Sequence, residues 1–254
     1  MPAFIFYHIF LNFMPVSLIC MKLMHRKLRY DSNRSFDFIH LCYYLSKNEV
    51  KDDDQRRIIN FKHEDEQAVR YFIIEAITNL RFFDFTTDHF IVRALGSNEL
   101  KANFNGNIGL ERLGACLADV FDCTYYPSIL YKTKQTLPIK SLSAGDRKQA
   151  LSGVYAVDTK MFDLNSRKLI IIDDVVTTGA TSCAIIEAVL TAYPKADITV
   201  FSLAWTPTAK QQEQLRQIAE RPMSVNEPEV AYGSRRAEEW VDEDFLNGET
   251  FISL

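Results

Sequence analysis

A chain of 254 residues is long enough to bury one full core and accommodates a single large domain with appendages. Its net charge of −4 lacks the basic excess typical of duplex-binding proteins, and its five cysteines include no Cys-x-x-Cys pair, which argues against a disulfide framework or a four-cysteine zinc site. Scattered thiols and dispersed histidines fit a reducing, cytoplasmic setting.

From Ala3 to Cys20 the chain is apolar except for His8, Asn12 and Ser17, and basic residues follow at Lys22, Arg26, Lys27 and Arg29. A membrane anchor needs roughly 20 predominantly apolar residues, and this run is interrupted by polar groups and by Pro15. A secretory signal would carry its positive charge before the apolar run and a small-residue cleavage site after it. The expectation is a start at Met14, Met21 or Met24, or a segment packed on the domain as a helix, with no membrane association. Residues 30–57 read as a polar linker carrying Phe36, Phe38, Tyr43 and Tyr44 and ending in the charged run 51–57. The organisation expected is therefore an N-terminal extension and linker (1–57), a core domain (58–207), and a C-terminal helix with an acidic tail (208–254).

Within the core domain, residues 64–80 have helical spacing, with Ala68, Tyr71, Phe72, Ile74, Ala76 and Leu80 on one face. Phe90 to Leu95 reads as a strand, followed by Gly96-Ser97-Asn98-Glu99. A second amphipathic helix spans 108–121, with a stripe of Ile108, Leu110, Leu113, Leu117 and Val120. Residues 125–131 read as a strand in which Pro127 marks an edge or bulge. The stretch 132–149 is a long, basic, polar loop containing Lys140 and Arg147, and residues 153–157 form a short strand.

The most informative stretch runs from Lys168 to Thr181. Leu169-Ile-Ile-Ile172 has the length and β-branched content of a strand buried on both faces, and it leads into Asp173-Asp174. Val175-Val176 and then Thr177-Thr178-Gly179-Ala180-Thr181 follow, after which Ala184, Ile185, Ala188, Val189 and Ala192 recur at helical spacing. A turn of this kind can direct backbone N–H groups inward, Gly179 permits close approach, and the helix start adds its positive end. The threonines contribute hydroxyl donors. The result is a cradle for one phosphate beside two carboxylates able to accept hydrogen bonds from the hydroxyls of a sugar. The alternative is a plain βα unit with an acidic, threonine-rich end. Residues 198–204 read as the next parallel strand, 208–221 as a polar helix, and the tail beyond carries Tyr232, Trp240 and Phe245 as aromatic groups able to fold back.

The order apolar strand, Asp173-Asp174, apolar pair, Thr-Thr-Gly-x-Thr resembles the fingerprint of type I phosphoribosyltransferases. The resemblance implies an α/β fold with a mostly parallel sheet flanked by helices, a mobile loop and a small variable hood. It also implies that Asp173 and Asp174 hold the ribose of phosphoribosyl pyrophosphate (PRPP) and act in catalysis, while Val176, Thr177, Thr178, Gly179, Ala180 and Thr181 hold its 5′-phosphate. By position, Arg93, Gly96 and Ser97 would meet the pyrophosphate, although a plain strand-to-helix turn explains the glycine and serine equally well. Lys140 and Arg147 would reach the same group from the mobile loop. Mg²⁺ would enter mainly through the oxygens of PRPP, with no protein metal site, and a homodimer is possible by analogy.

The motif order is similar to that of the ComF-type, competence-associated branch over residues 58–205, without that branch's N-terminal zinc module. The function expected is transfer of the phosphoribosyl group to a nitrogen nucleophile with release of pyrophosphate. The alternative is a non-catalytic PRPP- or nucleotide-binding regulator or DNA-uptake accessory. The sequence carries no motif for the acceptor.

Overall fold

The computed structural model describes residues 23–45, 53–81, 83, 85–102, 108–136, 144–160 and 162–220. The strands are β1 (Met24–Arg29), β2 (Ser35–Tyr43), β3 (His89–Arg93), β4 (Thr124–Tyr125), β5 (Leu130–Lys132), β6 (Tyr155–Val157), β7 (Lys168–Val176) and β8 (Asp197–Trp205). The helices are α1 (Asp53–Lys62), α2 (Glu66–Leu80), α3 (Ile108–Phe121), α4 (Ala144–Leu151), α5 (Ala180–Ala192) and α6 (Ala209–Glu220). The apolar N-terminal run, Lys140 and the aromatic residues of the tail lie outside the described residues.

Six strands form one sheet in the order β1-β2-β8-β7-β3-β4; β1 pairs antiparallel with β2, and all other pairs are parallel. This is the mostly parallel α/β sheet expected. β7 is central because its side chains are apolar on both faces, which suits a strand covered from above and below. On one face Ile170 and Ile172 pack with Ile58 and Phe61 of α1, Phe72 and Ile73 of α2, and Leu110, Leu113 and Leu117 of α3. On the other, Leu169 and Ile171 pack with Ile185, Ile186 and Val189 of α5 and Leu151 of α4. Among the described residues no helix is long and apolar enough to cross a membrane.

Three local readings are corrected. Residues 30–57 are not merely a linker: Ser35–Tyr43 is inserted in the sheet beside β8, with Asp37 to Tyr43 in register with Thr199 to Trp205. Its buried face includes His40, fully enclosed among Phe38, Tyr43 and Trp205, so polar letters conceal an interior strand. The strand read across 125–131 is divided. β4 ends at Tyr125, a 3₁₀ turn occupies Pro127–Ile129, and β5 pairs antiparallel with β6 in a separate two-stranded sheet. Pro127 cannot donate to a ladder, and the chain leaves the main sheet there. The stretch 132–149 is not one solvated loop, because Lys132 is buried in β5 and α4 begins at Ala144.

Helix α2 begins where Asp65 accepts a hydrogen bond from the Ala68 N–H at 2.9 Å, a side-chain cap. Helix α3 approaches β4 closely at Gly114, where an added Cβ would lie 2.3 Å from Cε2 of Tyr125. Tyr125 cannot easily retreat, since its hydroxyl donates to Glu111 at 2.7 Å. Gly114→Ala should therefore destabilise by about 1–3 kcal/mol through overpacking, read as a lower denaturation midpoint with unchanged m-value.

Candidate ribose-phosphate site

The connection after β7 runs through α5 on one face of the sheet to β8, whereas that after β3 runs through α3 on the opposite face to β4. β3 and β7 are parallel neighbours, so a crevice opens between them at their carboxyl ends, where ligands bind in open α/β sheets. Both sequence-selected segments meet there. Residues 94–99 follow β3, residues 177–179 follow β7, and the Ala94 N–H donates to Ile172 O at 2.8 Å, joining the two strand ends.

Strand alternation turns the two aspartates to opposite faces. Asp174 faces α1, whose last residue, Lys62, lies 3.0 Å from Asp174 Oδ2. Asp173 faces the α5 side, near Tyr155 of β6, and its Oδ1 accepts the Asp174 N–H at 2.8 Å. Asp174 Oδ1 accepts the Val175 N–H at 2.6 Å. Burial, reinforced by the neighbouring Asp174 carboxylate, holds Asp173 well above the usual carboxylate range, and Lys62 opposes this only in part. A raised folded-state pKa means that the folded protein binds the extra proton, so this group costs stability as pH rises above its ordinary value of 3.8. Asp173→Asn should thus stabilise the unliganded protein at pH 7, with a melting temperature higher by about 2–4 °C for each kcal/mol regained. The same substitution should flatten the fall in melting temperature between mildly acidic and neutral pH.

The turn after β7 enters α5 through a glycine. Gly179 adopts φ 73° and ψ 5°, a left-handed conformation that glycine takes without strain, and it is the N-cap of α5. Among the described residues no side chain caps this helix, so its first N–H groups have no side-chain acceptor there. Thr177 is exposed, Thr178 and Thr181 are half-buried, and Val176, Gly179 and Ala180 are buried beneath them. The chain thus brings together Asp173, Asp174 and residues 176–181 as the sequence suggested. The helix start and its threonines therefore lie directly after the two carboxylates at the end of β7.

The segment after β3 is different. Arg93 is fully buried: its Nε donates to Glu111 at 2.6 Å, and its two terminal nitrogens donate to the Glu99 carboxylate at 2.8 and 2.7 Å. Glu99 also accepts the Gly96 N–H at 2.6 Å. Lys132, itself buried, donates to Gly96 O at 2.7 Å, and its ammonium sits 5.4 Å from the centre of the Tyr155 ring. Burial alone would raise the pKa of Glu99, but the Arg93 guanidinium and Gly96 N–H bring it below the usual range. Burial depresses that of Lys132 against the pull of Glu99. Gly96 and Ser97 are exposed, while Arg147 lies half-buried on α4, which packs against α5.

Sequence reasoning did not single out Lys62, Glu99, Glu111, Lys132 or Tyr155 for this region. Glu99 closed the segment 93–99 that the sequence placed after β3, but was given no role there. Among the described residues no group of three or more carboxylate, imidazole or thiol ligands converges on a metal position. A separate pocket at the amino ends of the strands, lined by Asp37, Lys168 and Asp197 over Phe201, contains none of the selected residues.

A family model described as phosphoribosyl transferase matches residues 113–232, which include β7, the turn and α5. No protein of curated function matches the chain. Among solved structures, a purine phosphoribosyltransferase from Pyrococcus horikoshii is 24% identical, with a TM-score of 0.33 over 55% of this chain and 74% of that one. Adenine phosphoribosyltransferase from Trypanosoma brucei, solved with AMP, pyrophosphate and ribose-5-phosphate, is 12% identical, with a TM-score of 0.37 over 78% and 91%. A hypoxanthine phosphoribosyltransferase from Staphylococcus aureus is 13% identical, with a TM-score of 0.31 over 63% and 68%.

Proposed function

We propose that the crevice between β3 and β7 binds the ribose 5-phosphate portion of PRPP and that the protein transfers it to a nitrogen nucleophile, releasing pyrophosphate. The observation that carries this reading is the uncapped start of α5, entered through a left-handed Gly179, set directly after the Asp173-Asp174 pair. A phosphate accepts the free N–H groups and threonine hydroxyls, and the sugar hydroxyls donate to the carboxylates. The match of a phosphoribosyl transferase family model across this segment supports the same assignment. In the reaction, the C1–O bond to pyrophosphate breaks, a C1–N bond forms and the nucleophile loses its proton. The carboxylates would stabilise the positive charge that develops on the sugar between these events. Mg²⁺, brought by PRPP, would neutralise the departing group. The likeness to the competence-associated branch rests on motif order alone, and the acceptor is a nitrogen compound of unspecified class.

A second reading is favoured by one observation: Glu99 already occupies the Gly96 N–H and the Arg93 fork. A site in that state would retain a nucleoside monophosphate as a signal without transferring it. Calorimetry with PRPP, ribose 5-phosphate and AMP, followed by a pyrophosphate-release assay with Mg²⁺ and a panel of bases, separates the two. Binding with release supports transfer, binding without release supports the sensor, and absence of binding by all three ligands rejects both.

A further inference from the structure

Given the ribose-phosphate reading, on which this inference rests, the sugar lies across the Asp173-Asp174 pair with its 5′-phosphate in the 177–181 turn. On that reading the C1 end of the sugar is assigned to the loop 94–99, which follows β3, the parallel neighbour of β7. That loop has the parts of a second anion site: a buried guanidinium whose two terminal nitrogens both donate to a carboxylate of the loop, and a backbone N–H at Gly96 that donates to the same group. All three donors are held by one carboxylate of the chain itself, six residues beyond Arg93.

We propose that Glu99 is a tethered anion that competes with the C1 diphosphate of PRPP for the Gly96 N–H and the Arg93 fork, and so sets how strongly the site prefers PRPP to ribose 5-phosphate. Two charges of the same sign cannot share these donors, because like charges in a partly buried site repel strongly. Glu99 is ionised at neutral pH, since Arg93 and Gly96 favour its charged form. Lys132 makes the arrangement selective rather than merely tight. Its ammonium is anchored to Gly96 O, so the loop keeps its shape while the carboxylate moves in or out. Ribose 5-phosphate carries no anion at C1 and does not meet Glu99. A diphosphate at C1 must displace it.

The test compares the wild type with Glu99→Gln, which keeps the shape and a hydrogen-bond acceptor for Gly96 but removes the charge. Calorimetry with Mg²⁺ and either PRPP or ribose 5-phosphate should show the PRPP:ribose 5-phosphate affinity ratio rising about tenfold or more in the variant, the scale of one removed repulsion. An unchanged or lower ratio in a folded variant overturns the proposal. Should Glu99→Gln fail to fold, amide NMR of the wild-type protein gives the same decision. PRPP should shift the Gly96 resonance along with those of Thr177 to Thr181, while ribose 5-phosphate should shift only the latter. A Gly96 resonance that PRPP leaves unmoved while the threonine turn responds overturns the role of Glu99 alone. A threonine turn that responds to neither ligand overturns the ribose-phosphate reading, and this inference with it.

Discussion

Replacing both Asp173 and Asp174 by Asn should reduce affinity for ribose 5-phosphate and PRPP by at least about a hundredfold, measured by calorimetry, while the circular dichroism spectrum stays that of the wild type. Each carboxylate accepting a hydroxyl hydrogen bond is worth about 1.5–3 kcal/mol, so two of them account for that loss. The fold should tolerate the change, because neither aspartate belongs to the apolar clusters on the two faces of the sheet. The melting temperature should rise, because relief of the Asp173 burial penalty and of the repulsion between the two carboxylates exceeds the loss of the partly exposed Lys62 contact. Binding that survives in the double variant would place the ligand elsewhere.

The other large effect concerns stability. Arg93→Met should cost about 3–5 kcal/mol, because it strands Glu111 and Glu99 without their shared cation inside the protein. Glu111 is 5% exposed and, among the described residues, keeps the Tyr125 hydroxyl as its partner, so water cannot compensate. Removing all three charges together, as Arg93→Met with Glu99→Gln and Glu111→Gln, should recover most of the loss, since a desolvated network contributes little beyond its own mutual satisfaction. Denaturant unfolding of the single and triple variants measures both quantities. A triple variant as unstable as the single one would mean that the stem of Arg93, packed in the interior, matters more than its charge.

The Arg93 network also shows why a positional reading from sequence falls short. An arginine at the end of a strand, next to Gly-Ser-Asn, is equally suited to a ligand phosphate or to an internal carboxylate. The choice depends on whether Glu99 and Glu111 reach it. Glu111 is on α3, and its approach to Arg93 follows from the packing of that helix across β3 and β4. Similarly, Lys132 meets Gly96 across 36 residues only because β5 leaves the main sheet after Pro127. In β2, His40 and Asp37 obscured a strand that pairs with β1 and β8 and buries Phe38 on one face of the sheet and Ile39 and Leu41 on the other.

From sequence alone came the unit of β7, the acidic pair, the threonine turn and α5, together with the parallel α/β class. Those features are contiguous in the chain, and strand burial, a glycine turn and a helix start each leave a local signature. The tertiary structure decided what faces that unit. It placed the β3 loop beside it, brought Lys62 to one aspartate and Tyr155 to the other, and closed Glu99 onto Gly96. Those relations depend on strand order and on long-range packing of charged groups, for which the linear chain carries no periodic pattern.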